Sequence, residues 1–378
     1  MVATLALLCT ATTCGGLSAN VDPLASMAQA VREDKRSPPP LSESWRRAPP
    51  APLTLQPAVG INHVYLAIGN QLVAWRVSNG ETSWGPVELE SDVSAAPAAI
   101  GRQVVIATGG NDATGPRIWW YSTDGSLDSQ APVAAPISEI SAVPGTLIYL
   151  DNLGVGRLDD SNEWHVALDD ATAVDLAAEH GLALVATVSG RLLALDVRDG
   201  ETRWRHDAES KISRAHVSNK RVYIGTADGD IIALNIADGR VAWRRTLGTS
   251  VVGAPGGADE LLWVAGLDAR LNAINAGNGT QMYSLGLSSR NYLDIATFGQ
   301  WAVVGARYGP WVAVRGPTRT EQARGNARRP TPPIRVVVQE TAAANRPDLT
   351  IPAGSGPAGV AVVTSDGTVV FLQPRPVR

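Results

Sequence analysis

The sequence has only two cysteines in 378 residues, and both lie near its beginning, at Cys9 and Cys14. A domain downstream of them would have no disulfide bond, no thiolate nucleophile and no cysteine-ligated metal. The five histidines are scattered, and their spacing is not that of a zinc site. No Gly-x-Ser-x-Gly nucleophile elbow occurs. We therefore assign no catalytic, cofactor-binding or metal-binding residue from the sequence.

Charge is also sparse, since Asp, Glu, Lys and Arg make up 18% of the residues and the net charge is −4. No basic patch alternates with aromatic residues, which argues against a nucleic-acid partner. No part of the repeat region shows a sustained 3.6-residue apolar period, so we expect almost no helix there. The 37 glycines and 25 prolines are typical of short strands joined by many turns.

One segment near the middle of the chain occurs twice, 39 residues apart. Residues 194–205 read ALDVRDGETRWR, and residues 233–244 read ALNIADGRVAWR. The same frame fits residues 74–84 and, with Tyr283 in place of the last tryptophan, residues 273–283. A fixed period of this length indicates an array of small supersecondary units.

Each unit is predicted to contain four short antiparallel strands. In the clearest unit, apolar runs at residues 222–226 and 231–236 flank a turn at Asp228-Gly229, and a second turn at Asp238-Gly239 precedes Trp243. Asp-Gly between apolar runs is a strong hairpin signal, because the tight turn needs positive φ and glycine adopts it freely. Four-stranded units of this length are typical of propeller blades.

We count eight units, which start near residues 52, 91, 134, 171, 211, 249, 288 and 349. The last unit has only three evident strands, and residues 43–47 can supply the fourth, with Trp45 as its tryptophan. The predicted fold is an all-β, eight-bladed propeller of four-stranded antiparallel blades, closed by the N- and C-terminal strands. A seven-bladed ring is the alternative if the region after Arg315 does not form a complete unit.

The Ala-Leu-Asp, Gly-Glu and Trp residues at this spacing resemble the repeat of the pyrroloquinoline-quinone-type (PQQ-like) propellers, over most of residues 45–378. The resemblance is strongest in the three units that end at Trp84, Trp204 and Trp243. The family includes quinone-dependent dehydrogenases and a non-enzymatic, BamB-like branch of envelope proteins. Repeated tryptophans dock between neighbouring blades in this family, which implies a structural role for Trp45, Trp84, Trp164, Trp204 and Trp243.

The first residues are predicted to lie outside the propeller. Residues 1–13 are apolar and uncharged, and this stretch is too short to span a bilayer, as is typical of an export signal. Residues 11–16 partly resemble a bacterial lipobox, which makes Cys14 a candidate lipid attachment site. The alternative is an ordinary cleaved signal that removes both cysteines. We divide the chain into a leader (1–19), a flexible proline-containing tether (20–41) and the propeller (42–378).

Residues 315–335 depart from the repeat, with six arginines against a single acid, Glu321. Because blade turns elsewhere are short, we predict an insertion on one rim of the propeller. One interpretation is a solvated loop. The other is an arm that binds an acidic partner or anionic lipid headgroups through Arg319, Arg324, Arg328 and Arg329.

These features predict a non-enzymatic, exported, monomeric propeller that serves as a protein–protein interaction scaffold in the cell envelope. It would need no cofactor, and its N-terminal anchor would contact the membrane. The alternative is a quinoprotein-like dehydrogenase, or a small-ligand-binding propeller that uses the central channel. The quinone-dependent members resemble much longer chains with an adjacent cysteine pair, which is absent here. A ring of inward-facing Asp, Arg and Trp at one channel mouth would favour the alternative.

Overall fold

The computed structural model describes residues 41–374 apart from residues 112, 160–161, 259, 288–289, 291–292, 307–308, 317–333, 338–350 and 365. These residues form eight four-stranded antiparallel sheets. The helical content of the described part of the chain is a single 3-10 turn at Ala178–His180. The sequence-based prediction of an eight-bladed, all-β propeller is therefore confirmed, and the seven-bladed alternative is excluded.

The first strand, β1 (Leu41–Arg47), belongs to the last blade, and the strands that follow it form blades 1 to 7 in chain order. Blade 1 comprises β2 (Ala58–Val59), β3 (His63–Ile68), β4 (Gln71–Arg76) and β5 (Thr82–Glu88); blade 2 comprises β6 (Ala98–Ile100), β7 (Gln103–Thr108), β8 (Arg117–Ser122) and β9 (Leu127–Pro132). Blade 3 comprises β10 (Ile137–Val143), β11 (Thr146–Asp151), β12 (Gly154–Asp159) and β13 (Asn162–Ala167); blade 4 comprises β14 (Ala171–Ala177), β15 (Leu182–Thr187), β16 (Arg191–Asp196) and β17 (Thr202–Asp207).

The second half of the ring follows the same order. Blade 5 comprises β18 (His216–Ser218), β19 (Arg221–Gly225), β20 (Asp230–Asn235) and β21 (Val241–Thr246); blade 6 comprises β22 (Gly256–Ala258), β23 (Leu261–Ala265), β24 (Arg270–Asn275) and β25 (Gln281–Gly286). Blade 7 comprises β26 (Ala296–Phe298), β27 (Trp301–Ala306), β28 (Gly309–Arg315) and β29 (Ile334–Val337); blade 8 comprises β30 (Gly354–Gly356), β31 (Gly359–Val363), β32 (Val369–Pro374) and β1.

The hydrophobic core is divided among the blade interfaces. The second and third strands of a blade are sandwiched between neighbours on both faces, so they are nearly continuous apolar runs; every residue of β15 is buried. Outer strands have one wet edge, and β21 is mostly exposed. The buried apolar residues form eight clusters, each of which lies between two adjacent blades. No blade can therefore bury its faces without its neighbours.

Blade 8 joins the two ends of the described chain. Its strand order is β1-β32-β31-β30, so the N-terminal strand is its outermost strand. The β1–β32 pairing is antiparallel and runs from Leu41–Pro374 to Arg47–Val369. Trp45 of β1 stacks on Phe371 of β32, with ring centroids 5.3 Å apart. The predicted closure of the ring by terminal strands is thus confirmed.

Antiparallel pairing sorts the turns onto two opposite rims. The turns between first and second strands and between third and fourth strands lie on one rim, which we call rim A. The turns between second and third strands and the blade-to-blade connections lie on the other, rim B. Arg315 and Arg335, the predicted ends of the arginine-rich insertion, belong to β28 and β29, and residues 317–333 between them lie outside the described residues.

Deleting residues 41–49 is expected to lower the midpoint of thermal unfolding by about 10 °C and to promote aggregation. The deletion removes Trp45 from a buried interface and leaves β32 as an exposed edge strand. Differential scanning calorimetry and light scattering measure both effects, and a deletion of residues 22–30, equally long, serves as the control. An unchanged midpoint would show that β1 does not close the ring.

Candidate functional site at the blade interfaces and central channel

Five blade interfaces contain a tryptophan from the outer strand of one blade packed against a rim A turn of the next. Each indole Nε1 donates a hydrogen bond to a backbone carbonyl oxygen just beyond the third strand of that next blade, at 2.7–3.0 Å. The donor and acceptor pairs are Trp45 to Val77, Trp84 to Thr123, Trp164 to Val197, Trp204 to Ile236 and Trp243 to Ala276. These are the five tryptophans that the sequence analysis singled out.

A glycine of the receiving turn lies against each of these indoles. The five glycines have φ between +67° and +90°, and an added Cβ would lie 2.5–2.9 Å from the nearest indole atom. They are Gly80, Gly125, Gly200, Gly239 and Gly279. Both the left-handed backbone and the close approach of the ring require a residue without a side chain. The Asp-Gly signal in the repeat therefore serves the interface as well as the hairpin.

An arginine two residues beyond the tryptophan extends the contact at two interfaces. Arg47 Nη1 donates to the carbonyl oxygen of Gly80 at 3.1 Å, and Arg245 Nη1 donates to that of Gly279 at 3.3 Å. Residues two apart on a strand point to the same face, so Trp-x-Arg places an indole and a guanidinium on one turn. The sequence analysis did not identify these arginines, although the recurring Trp-x-Arg spacing is visible in the sequence.

Replacing Gly239 by Ala is expected to destabilise the protein by about 3 kcal/mol, because the new methyl group is strained at positive φ and meets Trp204. Gly248→Ala is the matched control, since Gly248 has φ +75° and nothing lies within 4 Å of the added atom. Only the left-handed backbone then costs free energy, about 1 kcal/mol. Urea unfolding measures both values. Equal losses would show that the indole does not press on the turn.

The central channel contains an ion cluster that the sequence analysis did not predict. Arg214, just before β18, reaches three carboxylates from three other blades. Its Nη1 lies 3.0 Å from Asp175 Oδ1, its Nε lies 3.3 Å from Asp294 Oδ2, and its Nη2 contacts Glu139 Oε1. One guanidinium therefore connects blade 5 with blades 3, 4 and 7 across the channel. We call these four residues the channel cluster.

Burial and the excess of carboxylates decide the protonation of the channel cluster. Burial raises the pKa of Glu139 to about 7 and that of Asp175 to about 6, although the nearby Arg214 guanidinium acts in the opposite direction. Burial alone would lower the pKa of Arg214, but the three carboxylates raise it above its usual value. The arginine is thus always charged, whereas Glu139 and Asp175 take up a proton near neutral pH.

A cavity of about 320 Å³ adjoins the channel cluster and is lined by Glu139, Arg214 and Asp294. The rest of its polar lining comes from Gln56, Ser138, Thr297 and Ser355. Inward-facing Asp and Arg are part of what we expected of a ligand-binding channel. Here, however, these charged groups bind one another. Among the described residues, no group of three or more His, Cys, Asp or Glu side chains is arranged to hold a metal ion.

The repeat itself contained a signal for the channel cluster. Asp175 and Arg214 are 39 residues apart, and Asp294 is 40 residues from Ala254, whose backbone N–H donates to it at 2.7 Å. These residues thus occupy equivalent places in successive blades, in the innermost strand or just before it. Charged residues at the repeat period, in segments that line the channel, could have been recognised before the structure was known.

Replacing Arg214 by Met is expected to destabilise the protein by about 3 kcal/mol at pH 8, because three carboxylates lose their cation. Glu139 and Asp175 already have folded-state pKa values above those of the unfolded chain. Without the arginine these values rise further, so the folded state binds more protons and its stability falls as pH rises through them. The loss should shrink markedly at pH 5. Chemical unfolding at both pH values measures it.

The double variant Arg214→Met with Glu139→Gln is the control for this experiment. Removing one carboxylate should recover part of the stability lost at pH 8 and have little effect at pH 5. A loss that is the same at both pH values would show that packing of the arginine, and not its charge, matters in the channel.

The other predicted site residues lie outside the described residues. They are the candidate lipid attachment site Cys14 and the arginines of the proposed partner-binding arm, Arg319, Arg324, Arg328 and Arg329. Within the described part of the chain, no helix has the length and apolar character needed to cross a membrane.

Comparison with models of protein families shows to which family the repeat belongs. Residues 151–243 and 188–370 match the family described as "Outer membrane protein assembly factor BamB", and together they make up more than half of the chain. The chain belongs to this PQQ-like propeller family. Its membership agrees with the repeated Trp and Gly positions that join the blades. Among curated proteins, no sequence matches this chain.

Solved structures with the same architecture differ widely in sequence. The computationally designed Ika8 protein is 15% identical with a TM-score of 0.66, and BamB from Moraxella catarrhalis is 14% identical with a TM-score of 0.65. Saccharomyces cerevisiae Sqt1 is 12% identical with a TM-score of 0.65. Each similarity covers 88% of this chain and 99% of the other. Identities this low establish the shared fold alone.

Proposed function

We propose that this protein is a non-enzymatic, exported propeller that acts as a protein–protein interaction scaffold in the cell envelope. The observation that carries the proposal is its membership of the BamB family, over residues 151–370 of a closed ring. The ring offers two rims of short turns, and partner proteins bind there. The anchor and the arginine-rich arm of the sequence analysis are parts of the same proposal.

Rigidity is the property that suits the ring for this role. Each interface buries an apolar cluster, and five of them add an indole clamped on a glycine turn. Preorganised binding loops lose little conformational freedom when a partner binds, which favours affinity. A scaffold of this kind needs no moving part and no reactive group.

The channel cluster also supports a scaffold. Arg214 contacts a carboxylate from each of three other blades, so the charges that face the channel hold the ring together. A ligand would have to displace these ion pairs. The 320 Å³ cavity favours the alternative function, a channel that binds a small ligand or a quinone. The two proposals differ in where a partner binds and in whether turnover occurs.

Affinity capture from an envelope extract of the native host tests the scaffold proposal. The wild-type protein should retain one or more envelope proteins at near-stoichiometric amounts. Changing Arg324, Arg328 and Arg329 together to Gln should weaken retention, mostly at low ionic strength, because salt screens exposed charges. The matched control changes Arg205, Arg240 and Arg244, exposed arginines of blades 4 and 5, to Gln.

The same preparation tests the remaining parts of the proposal. Cys14→Ala should move the protein from the membrane fraction to the soluble fraction, whereas Cys9→Ala should not. Reconstitution with quinone and Ca²⁺ should give no dye-linked oxidation of alcohols or sugars. Saturable turnover, or an extract from which the wild-type protein retains nothing, would reject the scaffold in favour of the channel.

A further inference from the structure

The interface between blades 2 and 3 lacks the tryptophan that joins other blades. On the outer strand, the docking position is the residue that pairs with a small residue of the third strand, as Trp243 pairs with Ala233. In blade 2 the corresponding pair is Trp120 and Ser129, with the same register shift one residue later. The large and small residues are therefore exchanged, and the outer strand β9 presents a serine.

A groove of about 720 Å³ opens at this interface on rim A. Its walls are β9 with the neighbouring turns of blade 2 on one side, and the first turn of blade 3 with the end of β12 on the other. The buried apolar cluster of this interface has seven members, fewer than any of the other seven clusters. The groove is therefore the space that a docked indole fills elsewhere in the ring.

The lining of the groove combines an aromatic floor with acidic walls. Trp120 is half-buried in it, beside Ile100, Val143 and Leu158. The groove is lined by three carboxylates, those of Asp124, Asp128 and Asp159. One guanidinium, that of Arg102, also lines it. Asp159 already pairs with Arg157, whose Nε lies 2.5 Å away. The groove therefore selects for an aromatic group accompanied by positive charge.

The other two carboxylates accept hydrogen bonds from neutral side chains. Gln103 Nε2 donates to Asp128 at 2.9 Å, and the hydroxyls of Ser122 and Ser126 donate to Asp124. These serine hydrogen bonds lower the pKa of Asp124 to about 2. In the described part of the chain, no Lys or Arg forms an ion pair with Asp124 or Asp128.

We propose that this groove binds an extended segment of a partner protein, which inserts an aromatic side chain beside Ser129 and places Arg or Lys next to Asp124 and Asp128. The proposal rests on the scaffold function and specifies one surface and one partner chemistry for it. The partner's aromatic ring takes the place of the missing docking tryptophan. A cationic residue two positions away lies on the same face of an extended chain, as in the Trp-x-Arg pairs of β1 and β21.

The composition of the chain argues for another molecule as the occupant. The longest segments outside the described residues are 1–40, 317–333 and 338–350, and none of them contains Phe, Tyr or Trp. They cannot supply an aromatic ring. The groove volume falls in the range of about 300–1,000 Å³ that is usual for ligand pockets, so a single large side chain with its neighbours fits.

The test uses the terminally blocked peptide Arg-Thr-Trp-Thr-Arg as a probe, with binding measured by two-dimensional NMR of the full-length protein. Shifts should saturate and should map to residues of blades 2 and 3. Peptides with Ala in place of Trp, or Glu in place of both Arg, should bind at least about tenfold more weakly. Equal binding of the three peptides would overturn the proposal.

The decisive variant exchanges the pair, as Trp120→Ala with Ser129→Trp, and so restores the arrangement of Ala233 and Trp243. The chain's own indole then fills the groove, and peptide affinity should fall at least about tenfold with no loss of thermal stability. Met282→Trp adds an indole to the exposed side of β25 and is the control; it should bind the peptide as the wild type does. Wild-type affinity in the exchange variant would overturn the proposal.

A second variant keeps the test valid if the exchange variant does not fold. The double variant Asp124→Asn with Asp128→Asn should lower the affinity for the peptide about threefold and abolish most of the salt dependence of binding. Unchanged affinity and salt dependence would overturn the proposal. A tenfold gain in peptide affinity on deleting residues 318–333 would also overturn the proposal. It would mean that the chain's own arginine-rich segment occupies the groove in the wild-type protein.

Affinity capture separates this proposal from the scaffold function. The exchange variant should lose at least one envelope protein that the wild type retains. If it retains all of them, the groove is not a partner site and the scaffold function stands. If the wild type retains none, the scaffold function fails whatever the peptide does.

Discussion

Five of the eight blade interfaces depend on the contact between an outer-strand tryptophan of one blade and a glycine turn of the next. The turn must have positive φ to reverse the chain within two residues, and it must lack a side chain to let the indole lie flat. The indole then donates to a carbonyl beyond the third strand, so a buried N–H is satisfied without water. Because the same residues make the hairpin and receive the indole, the folding of a blade also forms the surface on which the neighbouring blade docks its tryptophan.

The closing contact shows why this arrangement yields a ring and not an open array. Trp45 comes from the first described strand, yet it docks on Gly80 of blade 1 while its strand pairs with β32. The last interface thus has the same chemistry as four of the internal ones and leaves no blade face exposed. The interface between blades 2 and 3 departs from this chemistry. It holds a groove where the indole would be, and this groove can accept a residue from another protein.

The residues that face the central channel interact through ion pairs and not through apolar packing. The four members of the channel cluster are brought together by the ring and then bind one another, so their contribution depends on pH and on the single cation among them. Apolar clusters between blades resist changes in pH, whereas this cluster responds to them near neutrality. A propeller with this construction remains rigid at its interfaces while its centre changes protonation, and its rims remain available to partners.

Much of the fold was predictable because the repeat exposes it. The 39-residue spacing of Gly and Trp indicated blades, Asp-Gly turns indicated hairpins, and the incomplete last unit with Trp45 indicated closure. The channel cluster was not predicted. The 39-residue spacing of Asp175 and Arg214 marks equivalent positions in successive blades, but it does not show that the ring brings them into contact with each other and with Glu139. The groove was not predicted either, because the serine at position 129 matters only by comparison with the strand pairing of other blades.

The sequence by itself determined the type of blades, their order and the way the ends meet, because these follow from local hairpin chemistry and a repeating apolar pattern. It favoured eight blades and left seven as the alternative. Only the tertiary structure decided which charges meet in the channel and where the rim is open. Those features depend on distances between side chains of different blades. The repeat period identifies equivalent positions in the blades, but it does not give these distances. Equivalent positions of different blades become neighbours only when the ring closes. No single segment of the chain contains that information.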